Sequence, residues 1–433
     1  MTKDGADRSV SEGDDARVSR RQVLQAGAGL PALAAVGALA EIGRRPEVSE
    51  HPLPSRRRQG PRILVVGAGA FGGWTALHLQ RAGARVTLVD SWGPGNSRAS
   101  SGGETRVIRG TYGPDRIYVE MVVRALQLWR ENEQRWGRDL YRRTGVLWMV
   151  GQFDEYERAA LPLLRAAGLE YEELTADQLA ARFPLMNPEG VRWAIYEHEA
   201  GYLHAWRACV AVLEGFLAEG GEYRQATVRP GALSSGEMRG VALSDGSRVQ
   251  ADAYVFACGA WLGRVFPDLL GNLIRPTRQE VYYFGTPAGD SRYLEGSFPI
   301  WIDNGDNLYY GIPGDMHRGF KVADDTRRSL MDPSQEERTP TPERLQAARQ
   351  YMAFRFPGMV DAPLLQSRVC AYENTPDQDF ILDRHPEAAN VWILGGGSGH
   401  GYKHGPAIGE RAAAAVLGDR EPDDRFRLSR LLS

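Results

Sequence analysis

Three glycines, Gly67, Gly69 and Gly72, stand in a G-x-G-x-x-G spacing, and a carboxylate, Asp90, follows about 20 residues on. That combination suits a dinucleotide. Gly67 makes a tight turn, Gly69 lets the backbone approach a pyrophosphate, and Gly72 allows a helix to pack closely on a strand. The helix N-terminus offers free N–H groups and a positive dipole end to phosphate, and Asp90 can accept from ribose hydroxyls. A second glycine-rich stretch carries Gly395, Gly396, Gly397, Gly399 and Gly401, then His404, Gly405, Pro406 and an alanine-rich run to Leu417. Backbone there can approach a planar ligand, and a helix N-terminus would stabilise negative charge on it. His400 and His404 have an i,i+4 spacing, but the glycines between and around them argue against a metal-binding helix, and no metal site is expected. Taken alone, Cys370 reads as a small buried hydrophobe. Arg109 and Lys403 read as surface charges, and Lys321 as a strand-edge lysine.

The elements that must position these groups follow from the apolar pattern. Residues 63–66 form a strand, 73–82 a helix, and 85–89 a second strand that ends at Asp90, so the glycines sit in a strand–turn–helix–strand unit. Residues 118–135 have apolar side chains at helical spacing, 145–150 suggest a strand, and 156–167 another helix. Thr175-Ala-Asp-Gln178 is a capping box opening a short helix. From 221 to 259 the pattern turns to short strands with glycine turns. Strands are also expected over 281–284, 300–302, 308–310 and 320–322, and a helix over 344–356. No internal repeat is present.

From about Arg62 to near the C-terminus the chain resembles the monomeric sarcosine oxidase group of the D-amino-acid-oxidase-like flavoproteins, which includes N-methyltryptophan oxidase and pipecolate oxidase. The resemblance is carried by Gly103-Glu-Thr-Arg-Val-Ile-Arg109, Cys258-Gly-Ala-Trp261, Cys370-Ala-Tyr-Glu-Asn-Thr-Pro-Asp377 and Gly397-Ser-Gly-His-Gly-Tyr-Lys403. It implies an α/β fold: a Rossmann-like FAD-binding domain over 62–140, 200–272 and 366–433, interleaved with an antiparallel-sheet substrate domain over 141–199 and 273–365. It also implies FAD contacts at Gly67, Gly69, Phe71, Gly72, Asp90, Ser100, Thr105, Arg106, Val228, Gly259, Trp261, Cys370, Gly397, Gly399, His400, Gly401 and Lys403. Cys370 is expected to form a thioether with the flavin 8α-methyl. That chemistry needs a thiolate, for which a basic neighbour such as Arg368 is suitable. Arg109 and Lys403 are expected to hold a substrate carboxylate, one as a bidentate fork and one as a point charge. Lys321 is expected beside flavin N5, assisting dioxygen.

The function implied is oxidation of the C–N bond of a secondary or N-methylated amino acid, giving imine and hydrogen peroxide. The alternatives are a dehydrogenase with another electron acceptor and an exported flavin-binding accessory protein without turnover. Two departures from the group's prototype bear on the substrate. Asp325 stands where the prototype has histidine, and Ser101, Gly102 and Gly103 stand where it is rich in histidine.

The composition agrees with a globular enzyme. In 433 residues, hydrophobic side chains make up 42% and charged ones 25%, which excludes a mainly disordered or multi-spanning chain. With 52 basic and 55 acidic residues the formal net charge is −3, so nothing favours nucleic acid as a partner. The expected partners are a small amino-acid or amine substrate and dioxygen, with the protein a monomer. Three cysteines cannot build a disulfide framework. Near the N-terminus, Ser19-Arg20-Arg21-Gln22-Val23-Leu24-Gln25 precedes a small, weakly apolar run to Ala40. Residues 1–40 are therefore expected to be a twin-arginine-type export signal, read by that export machinery, and 41–61 a linker. Val23 and Gln25 stand where such signals more usually have Phe and Lys. This route carries folded proteins, which suits a chain that takes up its cofactor first.

Overall fold

A strand with a continuous apolar run belongs in the middle of a parallel sheet, covered on both faces. β1 (Arg62–Val66) is such a strand, with Ile63 through Val66 buried. In the computed structural model, which describes residues 60–305, 308–315, 318–326 and 329–432, it lies between β2 (Arg85–Asp90) and the strand Ala253–Phe256. The expected signal over 1–40, and the linker as far as residue 59, lie outside the described residues. The six-stranded sheet runs Ile381–His385, Ala388–Gly395, Ala253–Phe256, β1, β2, Glu222–Gln225. Its pairings are parallel except that of Ile381–His385 with Ala388–Gly395.

Helix α1 (Ala70–Arg81) leaves β1 through the glycine turn and packs against the helix Gly405–Leu417. Two glycines permit this contact. A Cβ on Gly409 would lie 2.7 Å from Trp74 Cβ and 2.8 Å from its carbonyl carbon, and one on Gly405 would lie 2.8 Å from the Trp74 ring. The close approach brings the 395–404 loop beside the turn after β1.

The second sheet has eight strands in the order Leu364–Asn374, Arg275–Phe284, Gly319–Asp324, Leu308–Asp315, Ile300–Asn304, Val146–Val150, Trp193–Glu197, Tyr171–Thr175. Its pairings are antiparallel apart from Ile300–Asn304 with Val146–Val150. Apolar pattern alone places a strand over 281–284; the strand begins at Arg275, with Thr277, Arg278, Gln279 and Glu280 buried and Arg278 and Glu280 held by partners both in the strand and in residues 336–341. Arg278 pairs with Glu280 at 2.8 Å, and Tyr282 donates to the other Glu280 oxygen at 2.6 Å. The expected domain break at 365/366 falls inside Leu364–Asn374, an edge strand of this sheet. Cys370 therefore sits on a strand of the antiparallel sheet, and the chain crosses to the six-stranded sheet only after Asn374.

A small sheet joins β3 (Thr105–Ile108) to Gly201–His204 and Tyr141–Arg143. Helix α2 (Arg116–Trp136) follows and ends at Gly137 in the left-handed region, φ 59°. The capping box at Thr175 forms, with Gln178 N–H donating to Thr175 Oγ1 at 3.2 Å and Thr175 N–H to Gln178 Oε1 at 2.9 Å. The described residues all belong to one unit, Arg57–Ser433. None of the helices among them is long and apolar enough to cross a membrane.

Candidate active site

The turn after β1 admits only glycine at its two ends. Gly67 has φ +107°, and a Cβ there would lie 2.2 Å from Ala257 O; one on Gly72 would lie 1.9 Å from Gly67 O. Asp90 ties this turn to the next loop: Oδ2 accepts from Ala68 N–H, and Oδ1 from the N–H groups of Trp92 and Gly93, all at 2.8 Å. Around this corner lies a cavity of 390 Å³. Among the residues singled out from sequence, Gly67, Gly69, Phe71, Asp90, Ser100, Arg106, Val228, Gly259, Trp261, Gly397, Gly399 and Gly401 line it.

A second cavity, of 500 Å³, abuts the first. Arg106, Tyr372, Gly399 and Tyr402 line both. Into the second project Arg109, Lys403, Asp325 and His400, with an aromatic wall that includes Tyr112, Trp148, Tyr156, Tyr309 and Tyr310. Arg109 follows β3, and its turn is clamped by Glu197, whose carboxylate accepts from Gly110 N–H at 2.6 Å and from Thr111 N–H and Oγ1 at 3.0 and 2.7 Å. The guanidinium donates to Thr111 O and lies 4.6 Å from the Tyr112 ring centre and 4.5 Å from that of Trp148. Lys403, 4% exposed, donates at 2.8 Å to Tyr112 Oη and to His400 O. Burial, and then Arg109, hold the Lys403 amine well below the usual lysine range. Among the described residues neither cation has a carboxylate within ion-pair distance. A carboxylate bound between them would favour the charged form of Lys403, so the half-buried Arg109 and the buried Lys403 together form a site for an anion.

Tyr112, which no spacing in the sequence marks, joins this cluster. Its hydroxyl meets Lys403 Nζ, His404 Nε2 at 2.8 Å and His400 Nδ1 at 3.2 Å. His400 lines the second cavity, not the first, and its Nε2 lies 3.0 Å from Gln378 O.

Thr105, Lys321 and Cys370 stand behind Arg106 and line neither cavity. Arg106 donates to Ser100 O at 2.6 Å, to Thr105 O at 2.9 Å and to Cys370 Sγ at 3.8 Å. It can do so because Gly103 has no side chain; a Cβ there would lie 2.0 Å from Arg106 Nη1. Arg368, the expected basic neighbour of Cys370, is turned instead to Gly102 O and to Glu104, which also pairs with Arg318. The cation at Cys370 is Arg106. Lys321, 1% exposed, donates to Thr105 O at 3.2 Å and Oγ1 at 3.5 Å. Burial, and then Arg106, push its amine down to about 7.

Residues 62–415 match the family described as FAD dependent oxidoreductase, DAO. The chain belongs to this family. The monomeric sarcosine oxidase of Streptomyces avermitilis is 31% identical over 370 residues, 82% of this chain and 93% of that one. The N-methyl-L-tryptophan oxidase of Salmonella arizonae is 30% identical over 380 residues, 85% of this chain and 98% of that one. The L-proline dehydrogenase from P. horikoshii has the same fold, with a TM-score of 0.74 at 21% identity over 86% of this chain and 97% of that one.

The first cavity of this FAD dependent oxidoreductase fits its cofactor on two independent grounds. The turns at Gly67 and Gly72, and the Gly397–Gly401 loop, are bare backbone where a dinucleotide needs close approach. Ser100 Oγ and Glu373 Oε2 are buried there without a partner among the described residues, which is expected of groups that meet a ligand. Tyr112, Trp148, Glu197 and Glu373 are the site residues of this oxidoreductase that sequence reasoning passes over. Each comes from a different part of the chain, and only Glu373 lies within a stretch that carries the family resemblance.

Proposed function

We propose that this FAD dependent oxidoreductase oxidises the C–N bond of a secondary or N-methylated amino acid, with dioxygen as acceptor, giving imine and hydrogen peroxide. The observation that carries the reading is the pairing of half-buried Arg109 with buried Lys403, neither with a carboxylate within ion-pair distance among the described residues, in a cavity that shares a wall with the cofactor cavity. When bound, FAD supplies the two-electron acceptor. Arg109, in contact with the Tyr112 and Trp148 rings and its turn clamped by Glu197, and Lys403, fixed by Tyr112, hold the substrate carboxylate and so orient the adjacent carbon. The same two cations disfavour an ammonium in the cavity and favour the neutral amine. A volume of 500 Å³ with aromatic walls suits a substrate larger than sarcosine. The names borne by the sarcosine and N-methyl-L-tryptophan oxidase relatives support the chemistry.

The finer reading assigns a covalent thioether between Cys370 and the flavin 8α-methyl, with Arg106 donating to the Cys370 sulfur. Acid-precipitated wild type should stay yellow and Cys370→Ala should release its flavin; a colourless wild-type pellet refutes the attachment. Lys321 is assigned to dioxygen activation. Residues 1–40 are assigned to export by the twin-arginine route, tested by whether Arg20→Lys with Arg21→Lys retains the protein in the cytoplasm.

The deciding experiment is anaerobic flavin reduction against a panel of N-methyl, cyclic and primary amino acids. Lys403→Met and Arg109→Met should each weaken substrate binding about thirtyfold to several thousandfold, since truncating one charged partner of a buried contact costs about 2–5 kcal/mol. An amine without a carboxylate, oxidised equally by wild type and both variants, would sink the clamp. A dehydrogenase is the second reading, favoured by the tendency of Lys321 to lose its charge near neutral pH. It requires reduced enzyme that reacts slowly with dioxygen and quickly with an artificial acceptor.

A further inference from the structure

The strand Leu364–Asn374 delivers one more polar side chain to the first cavity, the carboxyl of Glu373, which is 9% exposed. Its Oε1 accepts from Gly397 N–H at 3.1 Å. Its Oε2 is buried and has no hydrogen-bond partner among the described residues. Three glycines from two segments surround this carboxyl. A Cβ on Gly259 would lie 3.4 Å from Oε2, one on Gly395 3.6 Å from Oε2, and one on Gly397 3.0 Å from Oε1. Side chains are thus withheld on these sides, and Glu373 lines the cavity.

An isolated buried carboxylate is costly, and a buried acid with neither a cation nor a full set of donors takes the neutral form. Among the described residues no lysine or arginine pairs with Glu373. The titratable group that interacts with it is the thiol of Cys258, which is itself pushed up by burial. Burial, opposed only by the Gly397 N–H, pushes the Glu373 acid up to about 7. A neutral acid carries one O–H donor. FAD presents oxygen acceptors along its phosphates, its ribityl chain and its ring carbonyls, and it gains negative charge on reduction. A carboxylate at that place would oppose reduction, whereas a neutral donor would favour it.

We propose that Glu373 is a cofactor-contacting residue, donating a hydrogen bond to an oxygen of bound FAD through the carboxyl oxygen that the protein leaves unpaired. The proposal rests on FAD filling the first cavity and is independent of which amino acid is oxidised. It sets the acid apart from Asp90, whose two oxygens are taken by backbone N–H groups.

The test uses the full chain with Cys370→Ala in every variant, so that FAD can be removed and added back. FAD binding is followed by quenching of flavin fluorescence, together with the visible spectrum and the reduction potential of the bound flavin. Glu373→Gln keeps a neutral donor and should bind within about twofold of the parent. Glu373→Leu should bind roughly threefold to tenfold more weakly, the loss of one net hydrogen bond, with a shifted flavin spectrum and a lower potential. A second measurement does not depend on the leucine variant folding. In infrared difference spectra, the carbonyl band of a protonated carboxylic acid should shift when FAD binds to the parent, and that change should be missing in Glu373→Gln. Leucine binding and spectrum equal to those of the parent, or no such infrared change, overturns the proposal with the cofactor reading intact. A parent that takes up no FAD overturns both.

Discussion

Burial and Arg106 work against the charge of Lys321, while Cys370, Glu104 and Asp325 work for it. The balance leaves the amine near the midpoint of its titration at neutral pH. If its cation stabilises the charge that forms as dioxygen takes its first electron, the reoxidation rate should fall as pH rises through about 7, where the amine loses its proton. Lys321→Met should be slow at all pH values and lack this step, while anaerobic reduction by substrate changes far less. Stopped-flow traces of both half-reactions across pH decide it. A mutant that reoxidises like wild type makes Lys321 a structural lysine of its strand. Sequence reasoning can name Lys321, but its protonation depends on Arg106 and Glu104, which reach it only through the fold.

Among the elements, the contact between α1 and Gly405–Leu417 positions both glycine loops at once. Gly409 lies inside a helix, where alanine would ordinarily be favoured by about 1 kcal/mol. Here a Cβ would press on Trp74 and on Thr75 N at 2.9 Å. Overpacking of this kind costs about 1–3 kcal/mol, so Gly409→Ala should lower the melting temperature and weaken FAD retention together. A variant that melts higher, as helix propensity alone would have it, refutes the tight packing. The capping box at Thr175 and most helix positions can be read from local pattern because their bonds lie within one turn. The first half of Arg275–Phe284 cannot, since its arginine, glutamine and glutamate are buried by partners far away in the chain.

For the molecule as a whole, acid stability has an identifiable contributor. His78 on α1 has Nε2 buried without a partner among the described residues. Burial lowers its pKa from 6.5 to about 4, with Glu410 opposing and Arg81 assisting. The unfolded chain therefore binds the proton more readily than the native one. The stability this represents is complete above pH 6.5 and is lost as pH falls to about 4, a change of about 3 kcal/mol. His78→Phe should remove that share of the pH dependence. Denaturant unfolding of both proteins at neutral and acid pH provides the check, and parallel pH profiles would show His78 to be uninvolved.

The sequence alone determined what depends on short-range geometry: the glycine turn after β1, its helix, the carboxylate ending β2, and the glycine loop before the last long helix. In each, the required backbone conformation or close approach restricts residue type at fixed spacing, so the pattern can be read directly. The resemblance extended this to Arg109, Lys403 and Cys370. Only the tertiary structure decided that Arg106 rather than Arg368 faces Cys370, that Tyr112 links Lys403 to both histidines, and that Glu373 lines the cofactor cavity with one carboxyl oxygen unpaired among the described residues. Those outcomes depend on burial, charge and hydrogen-bond balance among segments hundreds of residues apart, which no local spacing encodes.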